Sequence, residues 1–139
     1  GDLPVYSPSI IYEGTPAPSR DRDLNGVIFT DIPWVLGDDN ELRTRATENL
    51  SGTRGQPGRL FAMGADAWHL SKRLPLLKQV ESASISGQTG VLTMTPEGSI
   101  HREQLWAQFR NGAPELIPEP VTEEGEMEGA QEEAPPLSE

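Results

Sequence analysis

The stretch Arg59–Leu77, RLFAMGADAWHLSKRLPLL, predicts the one long helix of this chain. Its apolar and small residues recur at steps of three and four, which is the period of a helix with one apolar side. This predicted apolar face comprises Met63, Ala67, Leu70 and Leu74, with a neighbouring row of Leu60, Gly64, Ala67, Trp68 and Ser71.

Both the end of this helix and its packing can be predicted. Lys72 and Arg73 lie in the last turns, where cations complement the helix dipole. Pro75 disfavours continuation because it lacks an N–H and clashes with the preceding turn. A one-sided helix must bury that side, so we expect it to pack against the apolar segments Val27–Phe29 and Gly90–Thr95.

Other segments predict a mixed set of strands and helices around this helix. Leu3–Tyr6 is a short strand, and Val27–Phe29 is a strand suited to burial on both faces. Pro33 requires the second strand to stop or to lie at an edge. A largely exposed helix is predicted from about Asp39 to Leu50, capped by Asp38, Asp39 or Asn40. Gln88–Phe109 is predicted as a β-hairpin that turns at Pro96–Ser99 and ends at Asn111-Gly112.

Two segments rich in proline or glycine are predicted to be connections. Glu13–Asp23 is expected to be a surface loop, whose charged run Arg20–Asp23 forms a solvated cluster of little energetic weight. Ser51–Gly58 is expected to be a flexible connection. It is not a phosphate loop, because no strand precedes it and it lacks the Gly-Lys-Ser/Thr ending.

The charge of the chain divides it into two regions. The formal net charge of the 139 residues is −11, yet all eleven lysines and arginines precede Pro118 and eight of the 22 carboxylates follow it. We therefore expect one domain or part of one over residues 1–117, and an acidic disordered tail over residues 118–139. The absence of a basic patch argues against nucleic acid as a partner.

The sequence shows no signal for a membrane span, a disulfide or a lipid anchor. No apolar run approaches membrane-spanning length. The chain has no cysteine, so disulfides, thiolate metal sites and a lipidation cysteine are ruled out within it. It begins on a strand-like segment without a methionine, and we expect it to be part of something longer.

Five polar or aromatic residues are candidates for a cleft or a partner surface, because they lie where predicted strands end; they are Tyr6, Ser7, Ser9, Asp31 and Trp34. Two alternatives stay open. The hydroxyls of the first three can simply satisfy the local backbone. Trp34 can be a packing anchor instead of a binding residue.

The sequence contains no arrangement typical of a catalytic or metal site. His69 has no carboxylate or second histidine at helical spacing, and His101 lies beside Arg102 and Glu103. Asp31 and Asp66 are the only candidates for paired carboxylates. Asp66 is expected within the first two turns of its helix, where a carboxylate is stabilising without any catalytic role. We therefore expect no enzyme activity, no cofactor and no metal.

Four blocks in this order resemble the C-terminal domain of the LppC/LpoA family over about residues 2–118; they are LPVYSPSIIYEG, RDLNGVIFTDIPWVL, RLFAMGADAWHL and SGQTGVLTMTPEGSIHREQLWAQFRNG. The resemblance implies an α/β fold, namely part of a two-lobed, Rossmann-like, type I periplasmic-binding-protein-like domain, which here ends in a β-hairpin. Leu3–Tyr6 would then be a late strand of one lobe, and Val27–Phe29 would lead across the hinge. The run Gly64–Ala67 is similar to a Gly-Tyr-Asp-Ala run common in that fold, with Ala65 in place of the aromatic residue.

The resemblance also implies a function. Members of this family are outer-membrane lipoproteins of the periplasm that activate a bifunctional class A penicillin-binding protein, a peptidoglycan synthase, by protein–protein binding. Attachment to the outer membrane would require a lipid anchor absent from this fragment. The alternative is a solute-binding lobe that holds a small molecule. If part of the domain is missing, the apolar face of Arg59–Leu77 is left partly uncovered, and we expect the isolated fragment to be marginally stable or to aggregate.

Overall fold

The computed structural model describes residues 3–38 and 40–121, which form two β-sheets, four α-helices and two short 3₁₀ turns. The α-helices are α1 (Pro18–Asp21), α2 (Pro33–Leu36), α3 (Glu41–Asn49) and α4 (Gly55–Gln79). The strands are β1 (Tyr6–Ser7), β2 (Ile28–Asp31), β3 (Ile85–Ser86), β4 (Val91–Met94), β5 (Ile100–Glu103), β6 (Leu105–Arg110) and β7 (Ala113–Ile117). The 3₁₀ turns cover Ser9–Ile11 and Arg22–Leu24.

The larger sheet has the strand order β1-β2-β6-β7. Its first pair is parallel and the other two pairs are antiparallel. β2 is buried along most of its length, as predicted, and it ends before Pro33, which begins α2. The strand β1 is shorter and later than the predicted Leu3–Tyr6, because backbone pairing with β2 begins only at Tyr6 and the residues before it stay exposed.

The predicted hairpin over Gln88–Phe109 is wrong in its second half. β4 and β5 do pair through the Pro96–Ser99 turn and, with β3, form the smaller sheet. The chain leaves that sheet at Gln104, however, and β6 joins the larger sheet beside β2. Asn111 and Gly112 then turn the chain into β7, a strand the prediction missed; their positive φ values of 52° and 75° suit a tight two-residue hairpin turn.

Helix α4 is longer than predicted at both ends. It begins at Gly55, inside the predicted connection Ser51–Gly58, and continues past Pro75 to Gln79. Pro75 is exposed and removes one backbone hydrogen bond, and the helix continues beyond it to bury Leu77. The helix α3 agrees better with its prediction: it is largely exposed, and the Asn40 side chain caps it by accepting from the Arg43 N–H at 2.9 Å.

The predicted inward face of α4 is also wrong. Its buried residues are Gly58, Ala62, Asp66 and Leu77, so a row with small residues and one carboxylate packs against the rest of the molecule. Leu60, Met63 and Trp68, which the pattern assigns to the apolar side, are exposed. The partly uncovered apolar face expected for the fragment is therefore confirmed.

Two apolar clusters form the core. In the first, the rings of Phe29 and Phe109 stack at 5.1 Å between centroids, with Tyr12 and Ala107 beside them. In the second, Trp34 packs against Phe61 of α4 with ring centroids 5.3 Å apart. Trp34 is 3% exposed and therefore packs within this cluster.

The charged run Arg20–Asp23 was predicted to be a solvated cluster, and this prediction is wrong for Asp21. Asp21 is the last residue of α1 and is buried, and Arg20 donates to it from Nε at 2.7 Å and to Glu13 from Nη1 at 2.7 Å. The hydrogen bonds from Arg20 to Asp21 and Glu13 raise the pKa of Arg20. The predicted boundary at residue 118 remains a prediction, and residues 122–139 of the predicted tail lie outside the described part of the chain.

Candidate functional site

A cavity of about 470 Å³ lies against the larger sheet where β1 and β2 run side by side. We call it the strand-end cavity; it is lined by Tyr6, Ser7, Pro8, Thr30 and Trp106. Thr30 and Trp106 are cross-strand partners, and the Tyr6 ring meets the Trp106 ring edge-on at 6.2 Å between centroids. The cavity therefore presents two aromatic side chains and the aliphatic hydroxyl residues Ser7 and Thr30 at the carboxyl end of a parallel strand pair, where α/β folds bind ligands.

The structure separates the five residues proposed for a cleft or a partner surface. Tyr6 and Ser7 line the strand-end cavity, whereas Ser9 lies in the 3₁₀ turn that follows and does not line it. Asp31 is buried in an ion pair, and Trp34 lines a different cavity. Thr30 and Trp106 were missed, because only the pairing of β2 with β6 brings Trp106 there.

Asp31 is bound to Arg59 of α4. Arg59 Nη2 lies 2.5 Å from Asp31 Oδ2 and also donates to the Tyr12 carbonyl at 2.8 Å, while the Ile32 N–H donates to Asp31 Oδ1 at 2.8 Å. The Asp31 side chain is 1% exposed and that of Arg59 13% exposed. The pair therefore attaches α4 to the end of β2, and Arg59 Nη1 remains a buried donor without a partner among the described residues.

Asp66 does not pair with Asp31, because a different set of donors surrounds it. It accepts from the Gln88 N–H at 2.7 Å, from the Thr89 N–H at 2.8 Å and from the Thr89 hydroxyl at 2.5 Å. Asp66 was predicted to lie within the first two turns of its helix. This prediction is wrong, because α4 begins at Gly55 and Asp66 lies well inside it. A Cβ on Gly87 would lie 2.5 Å from this carboxylate, so the loop needs glycine there.

The loop that Asp66 holds is also bound to two other helices. The Gln88 carbonyl accepts from the Trp34 N–H of α2 at 2.9 Å. The Gln88 side-chain oxygen accepts from Asn40, the cap of α3, at 2.5 Å. Residues 87–89 therefore connect α2, α3 and α4 to the strand pair β3–β4, and Asp66 holds this loop in place.

Tyr12 lies next to this charged network. Burial raises the pKa of the Tyr12 phenol above its ordinary value of 10.0, and the nearby Asp21 and Asp31 carboxylates raise it further. The phenol is therefore held in its neutral form over the whole physiological range.

A second cavity, of about 670 Å³, lies on the helical side of the larger sheet. We call it the helix-side cavity. It is bounded by the loop at residues 12–16, by α2, by α3, by residues 53–55 and by the start of β7. Thr30 and Trp106 point to the face of the sheet opposite to Phe29 and Ala107, since side chains alternate along a strand, and the two cavities therefore lie on opposite faces.

The described residues contain no group of three or more His, Cys, Asp or Glu that could hold a metal ion. His69 and His101 are both exposed. Within the same part of the chain, no helix is both long enough and apolar enough to cross a membrane.

Comparison with known proteins identifies relatives. A family model described as "LppC putative lipoprotein" matches residues 1–112. The penicillin-binding protein activator LpoA of Serratia proteamaculans is 34% identical over 108 residues, which are 78% of this chain and 16% of that protein. LpoA of Escherichia coli K12 is 31% identical over the same lengths. This chain thus spans about one sixth of these relatives.

Solved structures give the same result for the fold. The C-domain of Haemophilus influenzae LpoA, described as a regulator of PBP1A, is matched with a TM-score of 0.68 and 30% identity, over 83% of this chain and 36% of that one. A putative branched-chain amino acid ABC transporter from Chromobacterium violaceum is matched with a TM-score of 0.58 and 28% identity, over 78% of this chain and 35% of that one.

These likenesses confirm the predicted α/β fold, part of a periplasmic-binding-protein-like domain. They also confirm the resemblance based on the four sequence blocks, since the family model covers all four of them. This chain belongs to the LppC family of putative lipoproteins.

Proposed function

We propose that this chain is part of a non-catalytic activator of a class A penicillin-binding protein, a bifunctional peptidoglycan synthase. The observation that carries the proposal is the match to the Haemophilus LpoA C-domain, a regulator of PBP1A, at 30% identity over 83% of this chain. The curated relatives are likewise named penicillin-binding protein activators.

The buried carboxylates support a role in binding. Asp31 is bound by Arg59 and Asp66 by the loop at Gln88 and Thr89, so both already have structural partners. An activator needs no reactive group, because it works by binding the active conformation of its target more tightly than the inactive one.

The test uses the product of the complete gene and the class A synthase of the same organism. We expect the activator to retain the synthase in a pull-down and to raise its rates of glycan polymerisation and peptide cross-linking. A monofunctional transpeptidase serves as the control partner, and neither effect is expected with it. Failure both to retain the class A synthase and to change its rates would reject the proposal.

We also propose a location for the full-length protein. Membership of a lipoprotein family suggests anchoring to the periplasmic leaflet of the outer membrane by a lipid, through a residue outside this chain. Fractionation of cell envelopes should recover the protein with outer-membrane markers and release it when the anchor residue is replaced. Recovery with cytoplasmic markers would contradict this location.

A second candidate function is a solute-binding lobe. The strand-end cavity favours it, because Tyr6, Ser7 and Trp106 lie where α/β domains bind ligands, and the Chromobacterium relative is a putative amino acid transporter component. Calorimetry with branched-chain amino acids and peptidoglycan fragments tests it, with Trp106→Ala as the variant expected to lose binding. If no compound gives heat, this candidate is eliminated and Tyr6 and Ser7 remain candidates for a protein-facing surface, together with Ser9.

A further inference from the structure

One row of side chains crosses the larger sheet at the strand-end cavity. The strand registers place Thr30 opposite Trp106 and Trp106 opposite Ile117. Residues directly opposite each other on neighbouring strands point to the same face of a sheet. Thr30 and Trp106 line the cavity, so the side chain of Ile117 lies on the cavity's face of the sheet, next to Trp106.

The strand β7 ends at this row. Ile117 is its last residue, and residues 118–121 continue without helix or strand to Val121, which is 82% exposed. Four residues span at most about 14 Å, so Val121 lies within that distance of Ile117. The sequence continues through residues 122–139, and this segment therefore starts close to the strand-end cavity.

The lining of the cavity suits a segment that contains proline. The rings of Tyr6 and Trp106 meet at an interplanar angle of 80°, and Pro8 adds a third ring. Grooves lined by aromatic side chains bind proline-rich segments, because a polyproline II segment is already extended and loses little entropy on binding. None of the described residues that line the cavity is charged, so the lining favours an uncharged occupant.

The segment beyond Val121 contains such an occupant. Pro135-Pro136-Leu137 includes the only pair of adjacent prolines among the 139 residues. Its nearest charged neighbours are Glu133 before it and Glu139 after it. Their carboxylates can stay in water while the prolines and the leucine enter the cavity, so no charge has to be buried.

The length of chain between the two sites is sufficient. Val121 and Pro135 are 14 positions apart. The sequence predicts a disordered tail, and a disordered chain of that length has a root-mean-square end-to-end distance of about 20 Å. Such a linker gives an effective concentration on the order of 1 mM. A contact with a Kd of about 1 mM for the separate peptide would then be formed about half of the time within one chain.

We propose that Pro135-Pro136-Leu137 binds in the strand-end cavity of its own chain, against Tyr6, Pro8 and Trp106. A solute or a partner protein that uses this cavity has to displace the segment first. The proposal does not rest on the activator function. Its test contains no synthase, so its failure leaves the activator proposal intact.

Disulfide cross-linking tests the contact directly, because this chain has no cysteine of its own. Ser7→Cys places a thiol in the cavity lining, and Ser138→Cys places one beside Leu137. Ser71→Cys, at an exposed position of α4, is the matched control for the first site. Both pairs are made in the product of the complete gene, and the unmodified product gives the background. A disulfide requires two Cα atoms within about 7 Å, so we expect the Ser7–Ser138 pair to cross-link about tenfold faster than the Ser71–Ser138 pair.

Variants of the segment and of the cavity show which groups make the contact. Pro135→Ala combined with Pro136→Ala should slow the Ser7–Ser138 cross-link about fivefold, and Trp106→Ala should slow it by a similar factor. Glu132→Gln combined with Glu133→Gln is the control, which should leave the rate within about twofold because the carboxylates stay in water. Thr30→Cys is the second site in the cavity, with the same expected rates, if the Ser7 variant does not fold.

Three results would overturn the proposal. The first is a rate for the Ser7–Ser138 pair within about twofold of the rate for the Ser71–Ser138 pair. The second is a faster cross-link at Ser71, which would assign the segment to the exposed face of α4. The third is a disulfide between two molecules whose rate rises with protein concentration, which would assign the cavity to the segment of a second copy.

Discussion

The inward face of α4 buries small residues and a carboxylate, whereas its outward face exposes large apolar residues, the reverse of a typical surface helix. The inward face buries Gly58, Ala62 and Asp66, and Arg59 reaches from the same helix to Asp31. The outward face leaves Leu60 70%, Met63 50% and Trp68 62% exposed. The inward side of the helix thus combines hydrogen bonds and one ion pair with the packing of Phe61 and Ala62 on the Trp34 cluster, and the outward apolar residues are left for contacts with something else.

Replacing Arg59 is the strongest test of the inward face. Arg59→Met leaves the Asp31 carboxylate, which is 1% exposed, with the Ile32 N–H as its remaining partner. We expect the free energy of unfolding to fall by about 3–5 kcal/mol, as for other buried pairs that lose one member. Urea denaturation measures the loss. Arg45→Met is the control, because Arg45 is exposed and lies 4.0 Å from Glu41, and it should change stability by less than about 0.5 kcal/mol.

Replacing Asp66 should have the next largest effect. Asp66→Asn removes the charge that three donors from Gln88 and Thr89 share, and turns one acceptor into a donor. The expected loss is about 3 kcal/mol. Hydrogen exchange at the Gln88 and Thr89 amides should accelerate by more than exchange in β6. Asp23→Asn, at an exposed carboxylate, is the control; equal exchange rates in both variants would show that Asp66 does not hold the loop.

Pro75, on the exposed side of α4, is expected to lower the stability of the helix. It is exposed within α4 and leaves the Ser71 carbonyl without its helical partner. Pro75→Ala should therefore raise the free energy of unfolding by about 1–3 kcal/mol. Calorimetry would measure the shift in Tm. A lower Tm would mean that the helix bends at Pro75 to make a contact that the alanine variant loses.

The pH dependence of stability tests the surroundings of Tyr12, which lies next to the Arg59–Asp31 ion pair. Its raised pKa means that the folded state keeps the phenol proton longer than the unfolded state does. This contribution to stability is fully present below pH 10, the unfolded value, and is lost as the pH rises through the folded value. Tyr12→Phe should flatten the loss of stability above about pH 10 and change little at pH 7. Tyr6→Phe is the control for a hydroxyl outside the core, and identical alkaline profiles for Tyr12→Phe and the wild type would contradict the assignment.

Local signals in the sequence predicted much of the fold. The period of Arg59–Leu77 predicted α4, the three candidate caps Asp38–Asn40 predicted the start of α3, and Pro33 predicted the end of β2. The four blocks were enough to predict the family and its α/β class.

Errors occurred where contacts between distant residues decide the structure. Asp31 and Arg59 are 28 positions apart, and Asp66 meets Thr89 across 23, so no local pattern shows that these carboxylates are held. The inward face of α4 was assigned by apolar period, which fails when small residues and a carboxylate form most of the buried row. The Asn111-Gly112 turn did carry a hairpin signal, and it was taken as an end instead of the turn into β7.

The candidate site was only half predictable for the same reason. Tyr6 and Ser7 follow from their place on a strand, but Trp106 reaches them only because β6 leaves the small sheet and pairs with β2. The helix-side cavity combines residues from positions 12 to 114, and no spacing in the sequence indicates it.

The central claim is that contacts on the inward face of α4, among them the Arg59–Asp31 pair, hold the helix, and that its outward apolar residues contribute little to this chain. The most direct measurement is the free energy of unfolding of the triple variant Leu60→Gln, Met63→Gln, Trp68→Gln, taken beside Arg59→Met. We predict that the triple variant stays within about 1 kcal/mol of the wild type, since exposed substitutions have small effects. A loss in the triple variant as large as that in Arg59→Met would contradict the account.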